Sequence, residues 1–128
     1  MADRVLIIAE AGVNHNGSIE RALQLVDRAA EAGADVVKFQ TFKAENLATA
    51  RASKAEYQIA NTGESGSQLA MLRSLELSAD EHLRLVERCR AKRIAFMSTA
   101  FDAESLALLS TLDMPAIKIP SGDITCAD

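Results

Sequence analysis

The sequence has no tryptophan and only 4 % aromatic residues, so its interior has to be packed mainly from Ala, Leu, Ile and Val. Cysteine is nearly absent. Cys89 and Cys126 stand far apart and form no CxxC pair; without a secretory signal they are expected to be reduced thiols of a cytoplasmic protein. No apolar run approaches the roughly 18 residues of a membrane span. The N-terminal "MADRVLIIAE" lacks the basic segment, longer apolar stretch and small-residue cleavage site of a signal peptide. An excess of basic charge is missing too. A net charge of −4 and a pI near 5.2 argue against a general nucleic-acid binder, which is usually cationic. They still allow a pocket in which a few lysines converge on an anion.

What is present is an ordinary globular composition, 48 % apolar and 25 % charged over 128 residues, enough for one domain or part of one. "VLIIAE" (Val5–Glu10) is a short apolar run with the character of a strand buried on both faces. After an Asn-His-Asn-Gly turn, Ser18 is placed to cap a helix that carries an apolar stripe and ends at Gly33. "ADVVKFQTF" (Ala34–Phe42) predicts a second strand. The polar, Gly- and Ser-containing stretch from Lys43 to Ser67 is long for a compact domain, and is expected to be a mobile cover over the strand ends. "SQLAMLRSL" after it reads as a packing face. Ser78 and Glu81 form a capping box for a helix to Ala91. A third strand, "RIAFMST", a helix capped by Asp102, and a fourth strand, "PAIKIPSG", complete the order.

Strands alternating with helices imply right-handed crossovers and a parallel sheet. The fold class is therefore α/β, either an open doubly wound sheet or part of a (β/α)₈ barrel. Four units of about 30 residues make half of a barrel of roughly 250 residues. Residues 1–128 are thus expected to be an N-terminal half-barrel that stops just after its fourth strand.

The four strands share one habit. The first ends in Glu10; the second carries Lys38 and Gln40, two residues apart and so on one face. The third ends in Ser98 and Thr99, and the fourth carries Lys118 and is followed by Ser121 and Asp123. In parallel α/β folds the C-terminal strand ends are where sites are built. A lysine inside an apolar strand is expensive to bury without an anion. Two of them beside Ser and Thr hydroxyls suit a phosphate or carboxylate, whereas Glu10 and Asp123 suit sugar hydroxyls or acid–base work. The blander alternative is a lysine that reaches solvent or pairs with Glu10 structurally. His15 is expected to organise its loop, His82 to be solvated, Cys89 to pack in the core, and the basic cluster Glu87–Arg93 to be an exposed helix end.

Taken together, "IAEAGVNHNG", "GADVVKFQTF", "LELS", "FMSTAFD" and "AIKIPSGDIT" resemble the N-terminal half of the N-acetylneuraminate (sialic acid) synthases and their legionaminate- and pseudaminate-forming relatives. The resemblance runs from Val5 to about Thr125 and implies a (β/α)₈ barrel. It implies condensation of phosphoenolpyruvate with an N-acylated hexosamine, such as N-acetylmannosamine, to a nine-carbon 2-keto sugar acid and phosphate. Lys38, Thr99, Lys118 and Ser121 would hold phosphoenolpyruvate, and Glu10 and Gln40 would contact the sugar. Asp123 stands where many sialic acid synthases have Glu, one methylene longer, which tilts the sugar toward a legionaminate precursor. Glu10 and Asp123 are the candidate catalytic carboxylates. The family's divalent metal (Mn or Mg) is held by two histidines of the later half-barrel, which neither His15 nor His82 matches, so no metal ligand is expected in this chain. The resemblance also implies a homodimer whose C-terminal antifreeze-like domain completes the partner's sugar pocket; with these parts missing, the fragment alone is expected to be inactive. Two other readings stay open: a non-catalytic half-barrel interaction module, and an aldolase using Lys38 or Lys118 as a Schiff-base amine.

Overall fold

The structure is a computed structural model and describes residues 3–48 and 65–125. Three parallel strands form one sheet in the order β1 (Ile8–Gly12), β2 (Val36–Thr41), β3 (Ala95–Ala100). Helix α1 (Ile19–Glu31) links the first two strands; a segment with helical residues 44–48 (α2), α3 (Ser65–Leu75) and α4 (Ala79–Lys92) lies between the next two. Helix α5 (Ala103–Ser110) follows β3, and a 3₁₀ turn at Ser121–Asp123 comes last. Sequential neighbours pair in parallel, as helical crossover connections allow.

The caps behave as their chemistry dictates. Ser18 Oγ accepts from Arg21 N, Asp102 accepts from Ser105 N, and the Ser78–Glu81 box is reciprocal, at 3.2 Å and 2.7 Å. Val37, Phe39, Phe96 and Ala100 project from the sheet into a core shared with Val26, Leu85, Cys89 and Leu109. Two-residue periodicity therefore sends Lys38, Gln40 and Thr99 to the opposite face. Leu72 of α3 packs with Phe42 and Ala44 in a second cluster, as the "LAMLRSL" pattern predicts.

Four expectations need correction. β1 begins at Ile8, and Val5, Leu6 and Ile7 before it are exposed, although Ile7 O accepts from Asp35 N and Val36 N. The fourth strand is reduced to one parallel bridge between Thr99 and Lys118. Lys118 is consequently exposed rather than enclosed in an apolar strand, with Ile117 and Ile119 at 56 % and 60 % exposure beside it. Ile117 and Ile119 line an open cavity with Phe101 and Leu106 rather than a closed core. His82 is fully buried instead of solvated; it shares the inner stripe of α4 with Leu85, Val86 and Cys89. Within the basic cluster, Arg88 is not a free helix end: its guanidinium grips Asp27 of α1 at 2.7 Å and 2.6 Å, joining α1 to α4. Residues 49–64 of the expected cover lie outside the described residues. Its start is tied down, with Lys43 N donating to Asp102 and Ala44 N to Glu76.

Candidate functional site

Register builds the site. Glu10 stands opposite Lys38 in the β1–β2 ladder, and Gln40 stands opposite Thr99 in the β2–β3 ladder. The Thr99–Lys118 bridge extends the second rung by one residue. The result is an open pocket of about 300 Å³ lined by Glu10, Lys38, Gln40, Thr99, Lys118 and Ser121, with Phe101, Pro120 and Gly122 completing the wall. Six of the seven residues given a substrate or catalytic role above meet here. Asp123 does not line this pocket; it faces a neighbouring cavity of about 490 Å³ that shares Lys118 and Pro120.

Within the pocket, Lys38 Nζ lies 2.5 Å from Glu10 Oε2. The lysine side chain is only 17 % exposed, the glutamate 48 %. Lys118 has no ion-pair partner among the described residues. Two cations and one carboxylate thus share one opening with a hydroxyl from Thr99, a hydroxyl from Ser121 and an amide from Gln40. That donor set binds an anion and leaves polar groups for a hydroxylated ligand.

The pocket rests on a polar layer behind the sheet. Thr41 Oγ1 lies 2.8 Å from His82 Nε2 and 2.6 Å from Ser98 Oγ, and His82 Nδ1 lies 2.7 Å from the Ser78 carbonyl oxygen. Ser98, named above with Thr99, therefore belongs to the helix-facing side and not to the pocket. His15 organises its turn as expected: Nδ1 accepts from Gly17 N at 2.9 Å. Burial pushes both imidazoles below the usual histidine pKa. Cys89 is buried and its thiol is pushed up to about 12, which makes it inert packing. Among the described residues no three His, Cys, Asp or Glu side chains come together as a metal site.

Sequence reasoning missed Gly12, whose φ is +54° and where an added Cβ would come within 3.2 Å of Glu10 Oε1. The signal was available, since Gly12 follows Glu10 by one strand period. It also missed the burial of His82, although 82, 85, 86 and 89 have the spacing of a buried helical stripe.

The sequence model of the NeuB family matches residues 25–128. The chain belongs to the NeuB family. Among NeuB relatives, it is 50 % identical over 122 residues to the N,N'-diacetyllegionaminic acid synthase of Campylobacter jejuni, covering 95 % of this chain and 36 % of that protein. It is 53 % identical over 119 residues to the enzyme of the same name from Legionella pneumophila, covering 93 % and 33 %. The crystal structure of an N-acetylneuraminic acid (sialic acid) synthetase from Leptospira borgpetersenii, in complex with citrate, superposes with a TM-score of 0.77 at 34 % identity, covering 94 % of this chain and 38 % of that one. The chain spans about a third of the length of these curated relatives.

Proposed function

We propose that this chain supplies the phosphoenolpyruvate half of a sialic-acid-type synthase site, in a protein that condenses phosphoenolpyruvate with an N-acylated hexosamine to a nine-carbon 2-keto sugar acid and phosphate. The observation that carries it is the single pocket shared by Glu10, Lys38, Gln40, Thr99, Lys118 and Ser121. Identity to legionaminic acid synthases supports a legionaminate-type hexosamine, and fits the shorter Asp123. The strand order β1-β2-β3 advances without reversal. This supports the first units of a (β/α)₈ barrel over a doubly wound sheet, whose order reverses at a switch point.

In this reading Lys38 and Lys118 hold the phosphate and carboxylate with the Thr99 and Ser121 hydroxyls. Fixing the enol phosphate between them orients its C3 for attack on the sugar aldehyde, and water then adds at C2 as phosphate leaves. Gln40 and Glu10 receive sugar hydroxyls, and Asp123 is the carboxylate proposed to approach C2 after a shift of the 121–123 turn. The described residues do not fit the divalent ion that the resemblance implies, because no three His, Cys, Asp or Glu side chains meet among them and His15 and His82 are both enclosed in the core.

Calorimetric titration of the chain with phosphoenolpyruvate tests the assignment. Lys38→Met and Lys118→Met should each weaken binding roughly tenfold or more, since charge-assisted hydrogen bonds contribute about 1.5–3 kcal/mol. Circular dichroism should stay unchanged. Equal affinity in both variants would remove the anion site. Borohydride with pyruvate should leave the protein unlabelled, because this chemistry forms no imine; a trapped adduct at either lysine would favour the aldolase instead.

A further inference from the structure

In the pocket the Lys38 ammonium is already neutralised. Parallel register sets Glu10 directly beside it, with Oε2 2.5 Å from Nζ. The lysine is the covered member of the pair and the carboxylate is the accessible one, at 17 % and 48 % exposure. The second carboxylate oxygen rests beside Gly12. A Cβ on Gly12 would come within 3.2 Å of Oε1 and 3.6 Å of Gln40 Nε2, so the missing side chain leaves the seat that Glu10 occupies. Lys118, across the same opening, has no ion-pair partner among the described residues.

We infer that Glu10 is the resident counter-ion of Lys38, a positioning residue that an incoming phosphate or carboxylate displaces, and that its release frees the same carboxylate to accept a hydroxyl from the second substrate. The inference rests on the anion-binding reading of the pocket. A largely covered ammonium needs an anion at all times, and Glu10 meets that need in the empty pocket. Two anions on one lysine repel each other, so the arriving ligand, held also by Lys118, drives Glu10 off. At 48 % exposure the carboxylate is free to swing into solvent once its hold on Lys38 is lost. Coupling of this kind is reciprocal: an anion that releases Glu10 raises affinity for the hydroxylated ligand, and that ligand raises affinity for the anion by the same factor.

The test is calorimetric titration of the chain with phosphoenolpyruvate, and separately with sulfate as a charge-only probe. The proteins are the native chain, Glu10→Gln, Lys38→Met and the double variant. Gln keeps the volume and an oxygen to orient Lys38 but removes the competing charge. Glu10→Gln should therefore bind both anions about tenfold more tightly (~1.4 kcal/mol), and the gain should vanish in the Lys38→Met background. Anion binding that is unchanged or weakened by Glu10→Gln overturns the counter-ion role while leaving the anion pocket in place. A gain that persists without Lys38 reports general charge and overturns it equally. No binding of either anion to any of the four proteins overturns the pocket assignment itself, and the inference with it.

Discussion

Donor and acceptor roles around Thr41 follow from one carbonyl. The Ser78 carbonyl can only accept, so His82 Nδ1 carries the proton and Nε2 is left as an acceptor. Thr41 Oγ1 then donates to Nε2, and Ser98 donates to Thr41. Replacing Thr41 by Val leaves the buried Nε2 without a donor and should cost about 1–3 kcal/mol in urea unfolding. Protonating the histidines is the complementary perturbation. Burial lowers the pKa of His82 and of His15 below 6.5, opposed at His82 by its bond to the Ser78 carbonyl and at both by Glu81; Lys43 adds to the lowering at His82 and His82 itself at His15. Between the lowered folded value and 6.5 the unfolded chain binds more protons than the folded one. Stability is therefore fully present above about pH 6.5 and is lost as pH falls through the folded values. Unfolding midpoints measured from pH 7.5 to 5 should drop, and His82→Gln should flatten that slope. An identical slope in the variant would place the acid sensitivity elsewhere.

Helix starts are the elements most readable from sequence, because a cap is a local event. Ser18, Ser78 and Asp102 each accept the backbone bond that their position predicts. Ser78→Ala should cost about 1 kcal/mol by thermal or urea denaturation. The Asn-His-Asn-Gly turn is a stronger constraint than its composition reveals. Gly17 has φ +78°, and a Cβ there would meet the Ser74 carbonyl oxygen at 1.9 Å. Gly17→Ala should destabilise the fold by on the order of 3 kcal/mol, combining backbone strain with overpacking; a loss under 1 kcal/mol would mean that the α3 end moves freely. The fourth strand failed for a non-local reason. "AIKI" has strand chemistry, yet a strand needs a covered face as well as a neighbour, and the described chain supplies only the bridge to Thr99.

At the scale of the whole molecule, the apolar surface has two open margins. Val5 and Leu6 stand 75 % and 60 % exposed before β1, which pairs only with β2 among the described residues. Ile117, Ile119 and Ile124 stand 56–72 % exposed at the other margin. Open sheet edges beside exposed aliphatic groups favour association. Sedimentation velocity on the 128-residue chain should show concentration-dependent dimers or larger species, most simply a two-fold pair. A monodisperse monomer at high concentration would show instead that three strands and their helices are self-sufficient.

The α/β class, the alternation of elements, the helix caps and the polar character of the strand ends were legible in the residue order, because each depends on residues within a few positions of one another. The residue order also placed Lys38 and Gln40 on one face, since strand periodicity is local. It took the folded chain to make Glu10 and Lys38 partners and to set Gln40, Thr99 and Lys118 on one rung. The fold alone turned Ser98 away from the pocket, enclosed His82, and set Asp123 in the adjacent cavity. Those facts depend on the register between strands far apart in the chain and on which helix covers which face. Neither is written in any short stretch of residues.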